Sequence, residues 1–411
     1  MNIGIVAPYY FPNVKGGGEI SLKILSEALM ERGHNVVVIT FDGEKKKEEV
    51  ISSVRVVRYS SIAEIGLSLT LLPQVLLVLK RFEHEVDLFH MYNMSTIPGA
   101  GLYKLLGGRK PVVATLNSYI AFCPIGSALC LVKNMTCSLA NRTKCLNHRK
   151  MAPKIFSLPY AFIYPVLASL SKKMDEYIAP SRAVKNVYTC MGYPPHRTEV
   201  VPYFVPKTST INKASDPKSF NILYVGKLDV HKGVDILIQA FSHVAKYHKN
   251  TNLIIVGDGP EFERYVKLAN NLGIRSRVYF AGGVSMSQVQ KYYSSADVFV
   301  HPAIWFEPFG RTILEALSFQ LPIVVSNVGA PPDIIKEAGL IFENGNINDL
   351  VRKLKLVIEN ASLRKRLTSN CSKVLEDYRV GDLLDKIVGI YAKALKNRKQ
   401  GDCSENGLCA R

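Results

Sequence analysis

The sequence predicts an α/β protein of two doubly wound domains, each a parallel sheet with helices on both faces. Short buried strands alternate with amphipathic helices from Ile3 to Leu116, and the same alternation begins again at Phe220. Between the two series lies Tyr203–Ser219, a stretch rich in Pro, Ser, Thr and Lys that is typical of an interdomain linker. A chain of 411 residues also exceeds the size of one ordinary domain.

We therefore expect a first domain over residues 1–205 and a second over residues 206–379. Helical patterns cover Asp349–Asn370 and Asp382–Asn397, and the last helix, about residues 380–397, is expected to pack back on the first domain. Residues 398–411 are expected to form a disordered tail. Because ligands of open α/β sheets bind at the carboxyl ends of the strands, two such domains facing each other predict a cleft.

The first half opens with a βαβ unit. The strand Ile3–Pro8 is followed by the loop Tyr9–Gly18, by a helix that ends at Gly33, and by the strand Val36–Thr40. The run of three glycines from Gly16 gives that loop the character of a phosphate-binding loop. The other elements predicted here are the polar loop Asp42–Glu49, the strands Val54–Tyr59, Asp87–Met91 and Pro111–Leu116, and the helix Leu67–Phe82.

The second half repeats the pattern. Its predicted strands are Phe220–Val225, Asn252–Val256, Arg277–Phe280, Val298–His301 and Ile323–Ser326. Its predicted helices are Asp235–Tyr247, Glu261–Leu272 and Met286–Ser295, followed by a helix-like run that ends near Phe319.

Two acidic residues, Glu307 and Glu315, lie between the last two of these strands. We expect them at the mouth and in the first turns of a helix, where their spacing corresponds to about 12 Å of rise. The carboxylates would then lie on one face without touching and would hold two separate parts of one extended ligand. The turn Pro308-Phe309-Gly310 would present free backbone N–H groups, which suits a phosphate. The helix dipole alone also favours Glu here, so the spacing needs support from the rest of the chain.

The charge distribution predicts an anionic partner. The net charge is +18, and no acidic residue lies between Asp87 and Asp175, although Lys and Arg are frequent there. Such an excess is typical of proteins that bind nucleic acid, phosphate-rich ligands or anionic membranes. A solvated basic surface would explain scattered charges, but it explains a complete lack of Asp and Glu less well.

Four motifs follow one another along the chain. Tyr10-Phe11-Pro12 precedes Gly16-Gly17-Gly18-Glu19, and Tyr224-Val225-Gly226-Lys227-Leu228 precedes Lys232-Gly233. Val256-Gly257-Asp258-Gly259-Pro260 ends a strand, and Glu307 to Glu315 forms an E-x7-E pattern. In this order the motifs resemble those of glycosyltransferase family 4, over about residues 3–396. The resemblance implies the GT-B fold, in which two Rossmann-like domains face each other across a cleft.

The resemblance implies a nucleotide-sugar donor that lies mostly against the second domain. Lys227 and Lys232 match the basic pair that holds the diphosphate, where cations stabilise the charge that develops on the leaving group. Glu315 matches the residue that binds the ribose hydroxyls. Glu307 matches the residue that binds the hydroxyls of the donor sugar, and is the expected catalytic residue. The other matching positions are Phe309, Gly310, Arg311 and Thr312 beside sugar and phosphate, Val284 at the base, and Gly16 and Gly17 at the diphosphate.

The chain departs from the family at several positions. Asn117 stands where the family often has His near the reacting centre, and an amide cannot titrate. Lys227 replaces the usual Arg, so a bidentate phosphate contact becomes a point charge. Gln320 stands where Gly before Leu-Pro is frequent, and Ala330-Pro331-Pro332 replaces a Gly-rich turn. These differences leave the donor site in place but affect which sugar fits.

Cysteines cluster in the first half, at Cys123, Cys130, Cys137 and Cys145, with His148 close after. Their spacing differs from the C-x2-C pattern of zinc sites, so they are weak candidates for a structural metal. Reduced thiols, a metal-stabilised loop and disulfides all stay open. Enzymes with the E-x7-E signature typically need no metal and retain the anomeric configuration, so no cofactor or catalytic metal is expected.

The acceptor is expected to be lipid-linked or a saccharide. Ser157–Leu170 is apolar and aromatic and adjoins the basic block, a combination that suits docking on an anionic membrane, although a core helix would look the same. The N-terminal residues are typical of a core strand rather than a signal peptide, and no apolar run reaches transmembrane length. We therefore expect a cytoplasmic protein that binds peripherally at the membrane.

The predicted function is retaining transfer of a hexose or N-acetylhexosamine from a UDP- or GDP-sugar to an acceptor hydroxyl. The alternatives are a non-transferase enzyme on the same fold, such as an epimerase or phosphorylase, and a nucleic-acid-binding protein. The sequence has neither the basic recognition helix nor the aromatic RNA-binding strand motif of a nucleic-acid-binding protein, so no nucleic acid is expected as a partner. A dinucleotide oxidoreductase is disfavoured because Gly16-Gly17-Gly18 does not form a G-x-G-x-x-G turn.

Overall fold

The computed structural model describes residues 1–60, 67–120, 123, 154–205 and 219–405. The chain divides into two compact units. Unit 1 comprises Met1–Phe204 and Val380–Arg411, and unit 2 comprises Val205–Arg379. The linker expected at Tyr203–Ser219 lies largely outside the described residues.

Unit 1 contains an eight-stranded sheet. Its strands are β1 (Asn2–Val6), β2 (Asn35–Gly43), β3 (Lys47–Ile51), β4 (Val54–Ser60), β5 (Leu88–Met91), β6 (Val112–Thr115), β7 (Glu176–Ala179) and β8 (Thr198–Val200). The described helices between them are α1 (Gly17–Glu31), α2 (Leu67–Phe82), α3 (Ile97–Leu105), α4 (Lys154–Ser171) and α5 (Arg182–Cys190).

The strand order in this sheet is β3-β4-β2-β1-β5-β6-β7-β8. The chain leaves β1 to one side to form β2 and later crosses to the other side to form β5, so the sheet has a topological switch point between β1 and β5. All pairings are parallel except that of β3 with β4. The loops that follow β1 and β5 therefore open at the carboxyl edge where such sheets bind ligands.

The strand β3 corrects one prediction, because Asp42–Glu49 is not a loop. β2 continues to Gly43, and β3 pairs antiparallel with β4 as an edge strand. Its charged side chains bind across the pair: Arg55 donates to Glu48 at 2.6 Å and Arg58 donates to Glu49 at 2.6 Å. Both faces of an exposed edge strand can be polar, so it lacks the apolar alternation from which a strand is predicted.

The C-terminal helix, Val380–Glu405, belongs to unit 1 and packs against α1 and β6. Its apolar side chains, among them Leu384, Ile387 and Tyr391, join the core formed by β1, β2 and α1. The helix reaches Glu405, so the part of the expected tail up to that residue is helical, and residues 406–411 lie outside the described residues.

Unit 2 contains a six-stranded sheet that is parallel throughout. Its strands are β9 (Phe220–Val225), β10 (Thr251–Val256), β11 (Val278–Gly282), β12 (Val298–His301), β13 (Ile323–Ser326) and β14 (Gly339–Phe342). Its helices are α6 (Val234–Tyr247), α7 (Phe262–Asn271), α8 (Met286–Ser295), α9 (Arg311–Ser318), α10 (Pro331–Ile335), α11 (Ile347–Glu359) and α12 (Ala361–Leu375).

The order β11-β10-β9-β12-β13-β14 gives the second sheet its own switch point, between β9 and β12. Strands buried on both faces need continuous apolar runs, and β9 and β12 have them. The prediction of two parallel-sheet α/β domains is confirmed, apart from the antiparallel edge of the first sheet. The helix expected over Asp349–Asn370 is two helices, because Asn360 ends α11 and caps α12 by accepting from the Leu363 N–H at 2.8 Å.

The apolar stretch Ser157–Leu170 lies within α4. Every helix in the described ranges is too short or too polar to cross a membrane.

Candidate active site

The candidate residues of unit 2 gather at the carboxyl ends of β9 and β12, the two strands that flank the switch point. Gly226 to Lys232 follows β9, and Trp305 to Glu307 follows β12. Because β9 and β12 are neighbours in the sheet, Lys232 and Glu307 meet although they lie 75 positions apart in the chain. Ligands of doubly wound sheets bind at this place.

Glycines let three strand ends continue side by side toward the site. The Gly226 N–H donates to Val256 at 3.0 Å, and the Gly257 N–H donates to Gly282 at 2.9 Å. A Cβ on Gly257 would lie 1.9 Å from the carbonyl oxygen of Gly226, and one on Gly259 would lie 2.3 Å from that of Leu228. The Gly-Asp-Gly-Pro ending of β10 therefore serves close backbone packing.

Lys232 ends a short 3-10 turn, Val230–Lys232, and Gly233 follows it with a φ of +67°. A Cβ on Gly233 would lie 2.1 Å from the Pro302 carbonyl oxygen, so only Gly allows this loop to approach the end of β12. The Lys232 ammonium donates to Glu307 Oε2 at 2.7 Å and lies 4.7 Å from the centre of the Trp305 ring. Lys227, the other predicted diphosphate-binding residue, is exposed.

Glu307 is buried, with 6% of its surface exposed, and its Oε2 has three neighbours. Besides Lys232, the indole N–H of Trp305 donates to it at 2.7 Å, and His301 Nε2 lies 3.3 Å away. Burial alone would raise the pKa of Glu307, but the Lys232 ammonium and the His301 imidazole hold the pKa well below its usual range. The carboxylate is therefore ionised at neutral pH and can only accept hydrogen bonds.

The backbone of Glu307 is also fixed. The Ala330 N–H donates to the Glu307 carbonyl oxygen at 2.9 Å. Gly329 has a φ of +76°, and a Cβ there would lie 2.5 Å from the Glu307 nitrogen. The turn after β13 therefore supports the loop that carries Glu307, and it requires Gly at this position.

Glu307 lies ahead of the helix and not on it, which corrects the geometry expected from the spacing. α9 begins at Arg311, and Gly310 precedes it with a φ of +89°. The rise of about 12 Å along one helix therefore does not describe the separation of Glu307 from Glu315. The sequence did not reveal this because Gly310 allows a sharp turn that periodicity cannot register.

Glu315 lies in the second turn of α9, where the Tyr293 hydroxyl donates to its Oε2 at 3.0 Å. Arg311 Nε lies 3.4 Å from its Oε1. Burial raises the pKa of Glu315, while the Arg311 guanidinium and the Tyr293 hydroxyl oppose that shift. The two carboxylates thus have opposite pKa shifts within one unit.

The remaining candidates of unit 2 lie just before α9, in its first turn and in the loop after β11. Phe309 is buried and packs edge-on against Tyr378, with ring centres 6.1 Å apart. Thr312 is half-buried in the first turn of α9. Val284 is half-buried in the loop after β11. The adjoining Gly283 reaches the loop after β10, because a Cβ on Gly283 would lie 3.5 Å from Asp258 Cβ.

In unit 1, the glycine loop, which contains Gly16, Gly17 and Gly18, lies beside the loop after β6. Gly16 precedes α1, and its N–H donates to Glu19 at 2.8 Å, while Gly17 is the first residue of that helix. A Cβ on Gly18 would lie 3.9 Å from Asn117 Nδ2. Asn117 donates through Nδ2 to the Tyr92 carbonyl oxygen at 2.6 Å, and its buried Oδ1 has no partner among the described residues. An acceptor oxygen is thus available beside the glycine loop.

Only one cysteine of the predicted cluster can be located. Cys123 is buried, with 3% of its surface exposed, and Cys130, Cys137 and Cys145 lie outside the described residues. Within the described part of the chain, His, Cys, Asp and Glu form no group of three that could hold a metal ion. The metal candidacy of the cluster stays a prediction.

The structure adds residues that the sequence did not single out. His301 and Trp305 engage Glu307, Tyr293 engages Glu315, and Gly329 supports the Glu307 backbone. A signal existed for two of them: Trp305 is the only Trp of the chain and lies two positions before Glu307, and His301 ends an otherwise apolar strand. Tyr293 and Gly329 carry no local signal, because their roles arise from contacts distant in sequence.

Comparisons with known proteins agree with this architecture. Residues 15–208 match the family described as Glycosyltransferase Family 4, and residues 207–374 match the family described as Glycosyl transferases group 1. The chain is 28% identical to an uncharacterized glycosyltransferase of Methanocaldococcus jannaschii, over 96% of this chain and 99% of that protein.

Another relative is the GPI3 subunit of phosphatidylinositol N-acetylglucosaminyltransferase from Saccharomyces cerevisiae, at 23% identity over 95% of this chain and 82% of that protein. Among solved structures, Anabaena HepE in complex with UDP-glucose superposes with a TM-score of 0.70 at 19% identity, covering 95% of this chain and 99% of that one. That likeness shows the fold. With both halves matched to glycosyltransferase families, the chain belongs to the glycosyltransferases of family 4 and has the GT-B fold.

Proposed function

We propose that this glycosyltransferase transfers a hexose or N-acetylhexosamine from a nucleoside-diphosphate sugar to a hydroxyl of a lipid-linked or polysaccharide acceptor, with retention of anomeric configuration. The observation that carries the proposal is the Glu307–Lys232 pair at the switch point of the second sheet. A buried, ionised carboxylate beside a cation offers a hydrogen-bond acceptor for sugar hydroxyls and a positive charge for phosphate at one place.

The donor would lie along the carboxyl edge of this sheet. Glu307 accepts hydrogen bonds from the sugar hydroxyls, and Glu315 accepts them from the ribose. Lys227 and Lys232 bind the diphosphate. The backbone and side chains of Phe309, Gly310, Arg311 and Thr312 line the sugar and phosphate positions, and Val284 contacts the base. In unit 1, Gly16 and Gly17 contribute backbone to the diphosphate, and Asn117 acts beside the reacting centre.

Glu307 would act by binding and not by proton transfer. Because its pKa lies well below the usual range, it carries no proton to donate at neutral pH. Its negative charge can instead stabilise positive charge that develops on the sugar as the bond to the diphosphate breaks. Lys227 and Lys232 supply positive charge to the departing diphosphate, which is the role a divalent cation has in other phosphate sites. We therefore propose that transfer needs no metal.

A UDP-sugar is the first donor to test, because the fold relative Anabaena HepE is known in complex with UDP-glucose. A GDP-sugar remains the second candidate. Incubation of the purified protein with a panel of UDP- and GDP-sugars, followed by nucleotide release, identifies the donor. Release from one nucleotide-sugar, unchanged by a chelator, supports the proposal. An absence of binding and release across the whole panel contradicts it.

The reaction class can be read from the product once an acceptor is found. Nuclear magnetic resonance distinguishes the anomeric configuration of the transferred sugar from that of the donor. Retention supports the proposal, and inversion contradicts its stereochemical part. Interconversion of one nucleotide-sugar into another, without transfer, would identify an epimerase instead.

A membrane-associated acceptor is supported by the surface of unit 1. Leu77, Leu105, Leu106 and Val166 expose more than half of their surface, on α2, on α4 and at the end of α3. α3 packs against both α2 and α4. The exposed Lys80, Lys172 and Lys173 lie on or beside α2 and α4. Exposed apolar side chains with nearby cations suit an anionic lipid surface. The yeast relative, whose name gives phosphatidylinositol as its acceptor, supports the same class of acceptor.

Co-sedimentation with anionic and with neutral vesicles at low salt tests this surface. We expect binding to anionic vesicles that the double variant Leu105→Ser, Leu106→Ser weakens. The matched control is Val50→Ser on the edge strand β3, which removes a side chain that is 71% exposed elsewhere in the unit. If the unmodified protein does not co-sediment with anionic vesicles, the membrane part of the proposal is contradicted.

A further inference from the structure

Contacts from three side chains converge on a single oxygen of Glu307. Lys232 Nζ and Trp305 Nε1 each lie 2.7 Å from Oε2, and His301 Nε2 lies 3.3 Å from it. No described residue donates a hydrogen bond to Oε1. The described contacts of the carboxylate therefore lie at Oε2 and not at Oε1.

The Trp305 ring is itself held in place. The imidazole of His231 meets it at an angle of 64°, with ring centres 4.7 Å apart. His231 Nδ1 lies 2.8 Å from Asp229 Oδ1, which orients the imidazole. The Ile304 N–H donates to the His231 carbonyl oxygen at 3.0 Å, so the backbones of the two loops are joined beside the ring. The direction of the indole N–H is therefore set by the loop after β9.

We propose that Trp305 is a positioning residue that fixes the Glu307 carboxylate, so that Oε1 faces the hydroxyls of the donor sugar. This inference rests on the proposed function and deepens it. Lys232 cannot serve this purpose alone, because its ammonium is also the proposed ligand of the diphosphate and would be shared with it. The indole N–H is neutral and gains little from a nearby phosphate. It keeps Oε2 in place when the donor occupies Lys232.

The position of the Lys232 ammonium over the Trp305 ring agrees with separate roles for the face and the N–H of the indole. Lys232 Nζ lies 4.7 Å from the ring centre, within the range of a cation–π contact. The ring therefore orients the cation with its face and the carboxylate with its N–H. One side chain thereby aligns the group proposed to bind the sugar with the group proposed to bind the phosphate.

The variant Trp305→Phe separates these two contacts, because it keeps an aromatic face and removes the N–H. Calorimetric titration with UDP measures nucleotide binding. Titration with the UDP-sugar then gives the sugar's gain, which is the factor by which the affinity for the UDP-sugar exceeds the affinity for UDP. We expect UDP affinity within about twofold of the unmodified protein, and a loss of about tenfold or more in the sugar's gain and in kcat, as for a hydrogen bond to a charged group. Trp305→Ala should also weaken UDP binding, because Lys232 loses its ring.

Tyr293→Phe is the matched control, because it removes the hydroxyl that donates to the other carboxylate, Glu315. This variant should weaken UDP and the UDP-sugar alike. A Trp305→Phe protein that keeps both kcat and the sugar's gain within about twofold overturns the inference while leaving the proposed function intact. An unmodified protein that binds no nucleotide-sugar overturns the proposed function, and the role of Trp305 with it.

A spectroscopic measurement covers the case in which Trp305→Phe fails to fold. Trp305 is the only tryptophan, so ultraviolet resonance Raman of the unmodified protein reports the hydrogen bond of this one indole N–H. We expect a strongly bonded N–H that weakens in Glu307→Ala. A weakly bonded N–H in the unmodified protein overturns the inference.

Discussion

Glu307 and Glu315 are the same residue type in one unit, and their surroundings shift their pKa values in opposite directions. Burial raises the pKa of both, but for Glu307 the adjacent Lys232 and His301 outweigh burial. For Glu315 the Arg311 guanidinium and the Tyr293 hydroxyl do not. The Glu307 carboxylate is thus stabilised as an anion by its protein environment. The Glu315 carboxylate is not, so it favours a ligand that donates hydrogen bonds to it.

The lowered pKa of Glu307 predicts an acid-dependent loss of stability. Its stabilisation is fully present above the unfolded value near 4.5 and is lost as pH falls toward the lower folded value. Glu307→Gln should therefore flatten the fall in stability of unit 2 below about pH 4.5. Urea unfolding at a series of pH values measures this slope. An unchanged slope in the variant would show that the ion pair does not hold the anion.

The raised pKa of Glu315 predicts that its contribution to stability changes with pH in the opposite direction. Protonation favours the folded state here, so stability is highest below the unfolded value near 4.5 and declines as pH rises through the raised folded value. Glu315→Gln, which is neutral throughout, should be more stable than the unmodified protein at about pH 7, while its KM for the donor rises about tenfold. A variant whose advantage over the unmodified protein shrinks as pH rises from about 4 to about 7 would contradict the sign.

At the scale of elements, the turn after β13 holds the loop after β12. Gly329→Ala should lower kcat by about tenfold to a hundredfold, because a Cβ would displace the Glu307 backbone it contacts. Gly345→Ala is a matched control: that glycine has the same φ of +76° but no atom within 4 Å of an added Cβ. Both variants carry the backbone strain, so equal activity loss in the two would locate the effect in strain and not in displacement.

A non-glycine residue, Gln320, has a left-handed backbone conformation just after α9. Gln320 follows the helix with a φ of +56°, its N–H donates to Leu317 at 2.9 Å, and the Leu321 N–H donates to Ala316 at 3.1 Å. Gly is preferred at this position, so Gln320→Gly should exceed Gln320→Ala in stability by about 1 kcal/mol. Both variants lose the same bond from Ser372, so thermal unfolding isolates the backbone effect. Equal melting temperatures would contradict this.

The elements themselves were largely predictable, because strands buried on both faces need apolar runs and amphipathic helices need periodic ones. Leu67–Phe82, Phe220–Val225 and Val298–His301 have the predicted bounds. Two predictions failed for a shared cause: β3 is charged on both faces, and the break at Asn360 depends on a cap and not on periodicity. Polar elements lack the pattern from which buried ones are recognised.

At the scale of the whole chain, the two repeats of strand and helix predicted two sheets, and each sheet has its own switch point. Motifs predicted which residues of unit 2 gather, and Lys232 and Glu307 do meet. The support of Glu307 by Gly329 was not predictable, because contacts between loops depend on how strands are ordered in the sheet. The net charge of +18 indicated anionic partners without separating a diphosphate from a membrane.

We propose that Glu307 binds the sugar end of the donor and that Glu315 binds its ribose end. Calorimetric titration of the nucleotide and of the identified nucleotide-sugar into the unmodified protein, Glu307→Gln and Glu315→Gln tests it directly. We predict that Glu315→Gln weakens both ligands about tenfold. Glu307→Gln should keep or strengthen nucleotide binding, because Lys232 loses its anionic partner, and should abolish the gain from the sugar. Equal weakening of both ligands by Glu307→Gln, or no effect of either variant, would contradict the claim.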